Sequence, residues 1–125
     1  KNETLWGGWW FEHSSLKLVH LGDTGYTYDF LTINKELGSP DFAFIPIGAY
    51  EPRSIMKDSH LNPDEAIQTA LDLNATHAIG MHWGTFILTD EPVQEPPVLV
   101  KNRLKELDLE GLFTIPIPGK IISLE

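Results

Sequence analysis

Cysteine is absent from the 125 residues. Disulfide frameworks, thiolate zinc sites and cysteine nucleophiles are therefore excluded, and redox chemistry says nothing about the compartment. Basic residues are scarce: nine Lys and Arg stand against eighteen Asp and Glu, a formal charge of -9. A nucleic-acid binder normally presents a basic face, so no nucleic-acid partner is expected. The acidic excess suits a solvated surface and a protein that gathers cations. No apolar run approaches the ~20 residues that span a bilayer, and no signal or transit peptide is visible. The compartment stays unknown from sequence, with a soluble, cytoplasmic setting as the expectation. Also missing are a Walker A loop, a G-x-S-x-G elbow, an H-E-x-x-H helix and a G-x-G-x-x-G turn.

What remains is enough to fold. Hydrophobic residues make up 42% of the chain and charged residues 22%, and the length matches one domain of about 100–150 residues. Leu5 to Phe11 (LWGGWWF) is aromatic and Gly-rich and predicts a buried strand. Its Trp6, Trp9 and Trp10, with Trp83, are expected in the core. Leu16 to Leu21 predicts a second strand running into the turn Gly22-Asp23-Thr24-Gly25. Phe30, Ile33 and Leu37 fall at helical spacing before Gly38 and Pro40. Phe42 to Ile47 is strand-like. Asn62-Pro63-Asp64-Glu65 carries a cap, a first-turn proline and a capping-box glutamate ahead of the apolar stripe Ala66, Ile67, Ala70 and Leu71. His77 to His82 predicts a short buried strand, Val98 to Leu109 a helix, and Phe113 to Ile122 a strand or loop broken by Pro and Gly. Strands alternating with helices give an α/β layered fold, in which chemistry gathers at the carboxyl ends of strands. Three segments fit that place: the turn after Leu21, the turn after Ile47, and the residues around His82.

Each candidate there has two readings. Asp23 is a hard carboxylate able to bridge metal ions, or a turn residue that satisfies backbone N–H groups. His82 is an imidazole ligand with space made by Gly84, or a hydrogen-bonded core histidine. His60, two residues before the Asn62 cap, is a general acid/base or an exposed loop residue. Arg53 clamps an anion or forms a structural ion pair. Tyr50 donates to substrate or packs in its loop. His20 and His77 lie within strands and are expected to be structural. His13 is placed in a hairpin turn with Glu12 and Ser14 and receives no role.

The order of the motifs is more informative than any one of them. Leu5-Trp6-Gly7-Gly8-Trp9 and Gly22-Asp23-Thr24-Gly25-Tyr26 are followed by Ile45-Pro46-Ile47-Gly48-Ala49-Tyr50-Glu51-Pro52-Arg53. His60-x-x-Pro63-x-Glu65-Ala66 and His82-Trp83-Gly84-Thr85-Phe86 come next. This series resembles the metallo-β-lactamase superfamily, in the branch of N-acyl-phosphatidylethanolamine-hydrolysing phospholipase D. The resemblance implies an αβ/βα sandwich with a dinuclear site, usually zinc. It implies that Asp23 bridges the two metals, that His82 ligates one, and that His60 binds phosphate or transfers a proton beside them.

The superfamily's first-half motif, His-x-His-x-Asp-His, does not occur in these residues, and neither does a further histidine just upstream of Leu5. The resemblance therefore implies that residues 1–125 are the C-terminal half of a metallo-β-lactamase-like domain, one sheet with flanking helices, whose N-terminal half supplies the other ligands. The start on Lys1 rather than Met fits that expectation. The function implied is metal-activated water attack on a small-molecule or lipid phosphodiester by the complete protein, with the isolated chain inactive. Two alternatives remain open: a non-catalytic α/β binding domain with an incomplete metal site, and a metal-free hydrolase using Asp23 and His82. A half-sandwich bares an apolar sheet face, so self-association as a homodimer is expected. Sedimentation should show it, and a clean monomer at high concentration would contradict it.

Overall fold

Apolar runs of strand length alternate with amphipathic helical stretches, and they assemble into a layered α/β arrangement in the computed structural model, which describes residues 6–123. The strands are β1 (Trp9–His13), β2 (Leu16–His20), β3 (Phe42–Pro46), β4 (His77–Met81) and β5 (Phe113–Thr114). The helices are α1 (Asp29–Leu37), α2 (Arg53–Met56), α3 (Pro63–Asp72) and α4 (Glu95–Glu106). The sheet order is β1-β2-β3-β4-β5. A two-residue turn joins β1 and β2, which pair antiparallel from Trp9↔His20 to His13↔Leu16. The remaining neighbours are parallel. Parallel neighbours need long crossovers, and α1, then α2 with α3, then α4 supply them.

Period-two alternation sorts the strand residues onto two faces. Val19, Ala43, Ile45, Ile47 and Ala78 meet Phe30 of α1, Ala66, Ile67 and Ala70 of α3, and Val100 and Leu104 of α4 in one buried cluster. The helices thus cover that face. Register places Trp9, Phe11, Leu18, Phe42, Phe44 and Ile79 on the other face, where Trp9 and Phe11 are exposed.

That second face corrects part of the sequence reading. The first strand is an exposed edge, not a buried strand, and it starts at Trp9; Leu5 lies outside the described residues. Trp6 and Trp9 are exposed while Trp10 and Trp83 pack against the core. Alternation detects an apolar face, but not whether this stretch of chain provides its cover. Glu12 and His13 belong to the paired strand, leaving the turn to Ser14 and Ser15. The last helix starts at Glu95, with Pro96 and Pro97 in its first turn, where missing N–H groups cost nothing.

The predicted start of α3 is present in full. Glu65 N–H donates to Asn62 Oδ1 at 2.9 Å and Asn62 N–H donates to Glu65 Oε2 at 3.0 Å. No helix among the described residues is long and apolar enough to cross a membrane.

Candidate metal centre

Three loops leave the carboxyl ends of β2, β3 and β4 and bring Asp23, His60 and His82 together. One ligand-capable atom from each lies within 4.8 Å of the others. His82 Nε2 is 3.3 Å from Asp23 Oδ1, and the His60 and His82 rings are 5.4 Å apart between centroids.

Each loop is held by its own contacts. The Asp23 loop begins at Gly22, whose N–H donates to His20 Nδ1 at 3.2 Å. It ends at Tyr26, whose hydroxyl donates to Asp72 Oδ2 at 2.6 Å. That bond is the main reason the Tyr26 phenol is pushed up to about 12, so it remains a donor. Gly25 lets this loop touch the one before His60: a Cβ there would lie 2.6 Å from the Lys57 carbonyl oxygen. His60 is fixed by its N–H bond to Met56 O at 2.8 Å and by Arg53 Nη1, which donates to His60 O at 2.8 Å. The other arm of Arg53 meets Glu65 Oε2 at 2.7 Å. Of the two readings of Arg53, the structural ion pair is the one present. It joins the α3 capping box to the His60 carbonyl.

His82 directly follows β4 in a left-handed conformation, φ 59. It is pressed against the exit of β3: a Cβ on Gly48 would lie 2.3 Å from the His82 carbonyl oxygen. Tyr50 is a packed loop residue, its hydroxyl donating to Glu95 Oε1 at 2.7 Å. His77 is structural as expected, bonded through Nδ1 to Gly111 O at 3.1 Å and through Nε2 to Thr114 Oγ1 at 2.7 Å. The sequence reading missed Glu91. In Thr89-Asp90-Glu91-Pro92 it looks like a solvated turn, yet it is buried and accepts backbone N–H groups from the loop after β3.

Burial holds the His60 imidazole below its usual pKa; His82 and Arg53 push the same way, and Asp23 and Glu91 oppose them. A neutral imidazole keeps a lone pair for a metal or a proton. His60 Nδ1 is also buried without a hydrogen-bond partner, a state that normally costs about 1–3 kcal/mol and calls for a missing group. One carboxylate and two imidazoles are donors that zinc accepts. Two atoms ~2.1 Å from one tetrahedral zinc lie roughly 3.4 Å apart, close to the 3.3 Å between His82 and Asp23. The donor types and spacing fit a metal. Three residues are too few to enclose two ions, each of which needs about four donors.

Residues 1–83 match the beta-lactamase superfamily domain. The chain is 44% identical over 108 residues to N-acyl-phosphatidylethanolamine-hydrolyzing phospholipase D 1 of Caenorhabditis elegans, a match covering 85% of this chain and 29% of that protein. It is 35% identical over 103 residues to a UPF0173 metal-dependent hydrolase of Methanopyrus kandleri, covering 82% of this chain and 39% of that one. A metallo-beta-lactamase fold protein of Bacillus subtilis superimposes with a TM-score of 0.64 at 17% identity, over 93% of this chain and 43% of the other, which shows a shared fold. The chain spans 29% to 33% of the length of the first curated relatives that it matches.

Proposed function

We infer a function from this premise: the chain belongs to the beta-lactamase superfamily. Its residues 1–125 are the C-terminal half of a metallo-β-lactamase-type domain, and its role is to supply part of a zinc site in a hydrolase. One observation carries this reading: Asp23, His60 and His82, distant in sequence, converge with ligand atoms within 4.8 Å. Asp23 and His82 are the ligands this half contributes, and the preceding half contributes the rest. The apolar sheet face bearing Trp9 and Phe11 is where that half would pack. The relatives named for phospholipase D and metal-dependent hydrolase activity support a hydrolytic role, and we assign the substrate to the phosphodiesters, small-molecule or lipid.

Zinc bound in such a site lowers the pKa of water and stabilises charge on a phosphoryl oxygen. The residues of this chain do the remaining work. Asp23 supplies the negative charge that holds cations, its Oδ1 3.3 Å from the other donor atom, His82 Nε2. His60, kept neutral mainly by burial, accepts a proton or returns one to the leaving oxygen. The Arg53 bridge to the His60 carbonyl keeps that imidazole in place.

Turnover by the complete protein of bis(p-nitrophenyl) phosphate, compared with a carboxylic ester and a β-lactam, tests the substrate class. Phosphodiester turnover above the other two is expected. Turnover of the ester or lactam with none of the phosphodiester would overturn the assignment. The isolated chain is expected to turn over none of them.

A further inference from the structure

Glu91 stands in no motif, yet it ends a loop that begins at His82 and returns to the exit of β3. Its carboxylate receives three successive backbone N–H groups. Oε1 accepts from Ala49 at 2.7 Å and from Tyr50 at 3.2 Å, and Oε2 accepts from Glu51 at 3.0 Å. Successive N–H groups pointing one way form an anion-binding concavity, here filled by the protein's own carboxylate. Ala49 takes part in a strained conformation: its φ of 63 is left-handed, a region that residues with a Cβ rarely adopt.

This clamp touches both histidines. On one side Gly48, directly before the clamped residues, abuts the His82 carbonyl with no room for a Cβ. On the other, Arg53 Nη1 is shared between Tyr50 O at 3.4 Å and His60 O at 2.8 Å. The loop from His82 to Glu91 is therefore a closed strap. Its start carries an imidazole, and its end grips the segment on which both imidazole backbones rest.

We propose that Glu91 is a positioning residue that sets His60 and His82 in register with Asp23 by clamping the backbone of residues 49–51. Burial alone would raise its pKa, but bonds from the Glu51 N–H, the Thr89 hydroxyl and the N–H groups of Glu91 and Ala49 hold it below the usual carboxylate range. It is thus ionised and acceptor-only, as three N–H donors require. Its importance for catalysis rests on the metal-site reading above; its effect on the two rings does not.

The test needs no metal, so its failure is distinct from failure of that reading. Glu91→Gln puts an amide NH2 where an acceptor stood, opposing at least one backbone N–H. In ring C–H correlation spectra of the metal-free complete protein, His60 and His82 should shift or broaden while His77, tied to Gly111 and Thr114, stays in place. Unchanged His60 and His82 signals would overturn the proposal, and so would equal movement of all histidine rings, which marks a merely structural role. A second measurement uses the unaltered complete protein, so it does not depend on the variant folding. Amide exchange at Ala49, Tyr50 and Glu51 should be slower by about tenfold or more than at the exposed Phe86 and Ile87 of the same strap, as expected for charge-assisted bonds. Equal rates would show that no clamp exists.

Discussion

Replacing Asp23 by alanine in the protein that carries both halves is expected to lower metal-dependent turnover by more than about 100-fold, the upper range for losing a mere second-layer partner of a metal ligand. Asp23 is the sole anion in the three-residue cluster, so its removal leaves two imidazoles and no carboxylate facing a dication. His82→Ala should act in the same direction and to a similar extent. Asp23→Asn separates charge from shape: it keeps an oxygen near His82 Nε2 but not the negative charge, and should resemble the alanine variant. Metal content and kcat measured on the same samples check this. Retention of both metals and of turnover after either change would contradict the ligand assignment.

Gly48→Ala is expected to destabilise the fold by about 3 kcal/mol or more, at or above the usual range for overpacking. The added methyl would lie 2.3 Å from the His82 carbonyl oxygen and 3.4 Å from Trp83 Cα. Those are backbone atoms at a strand end and cannot swing aside as a side chain would. Relief requires separating the exits of β3 and β4, which carries His82 away from Asp23. Such a loss is a large part of the ~5–15 kcal/mol that typically holds a domain folded. Denaturant unfolding of the variant measures it; an unchanged midpoint would mean the two loops are not in contact.

The fold was legible wherever local chemistry and tertiary packing agree. The α3 start is one such place, since Asn62, Pro63 and Glu65 satisfy the helix terminus without outside help. The strand around Ile45 and the one around Ile79 were readable as short apolar runs for a sheet interior. Strand-end position and the family resemblance both point to Asp23 and His82, the resemblance alone points to His60, and the three meet in space. Other features depend on partners far along the chain. Nothing local marks Glu91, because the three N–H groups it accepts lie about forty residues earlier. The four-residue α2 is too short to show a period. Trp6 and Trp9 are exposed rather than buried, because an apolar stretch in sequence does not reveal what covers it.

The proposed function requires that Asp23 and His82 ligate zinc with His60 alongside. Anomalous-difference density at the zinc edge, from crystals of the complete protein, tests it most directly. Zinc is expected at about 2.0–2.2 Å from an Asp23 oxygen and a His82 nitrogen. Zinc bound elsewhere, with neither residue in contact, would contradict it.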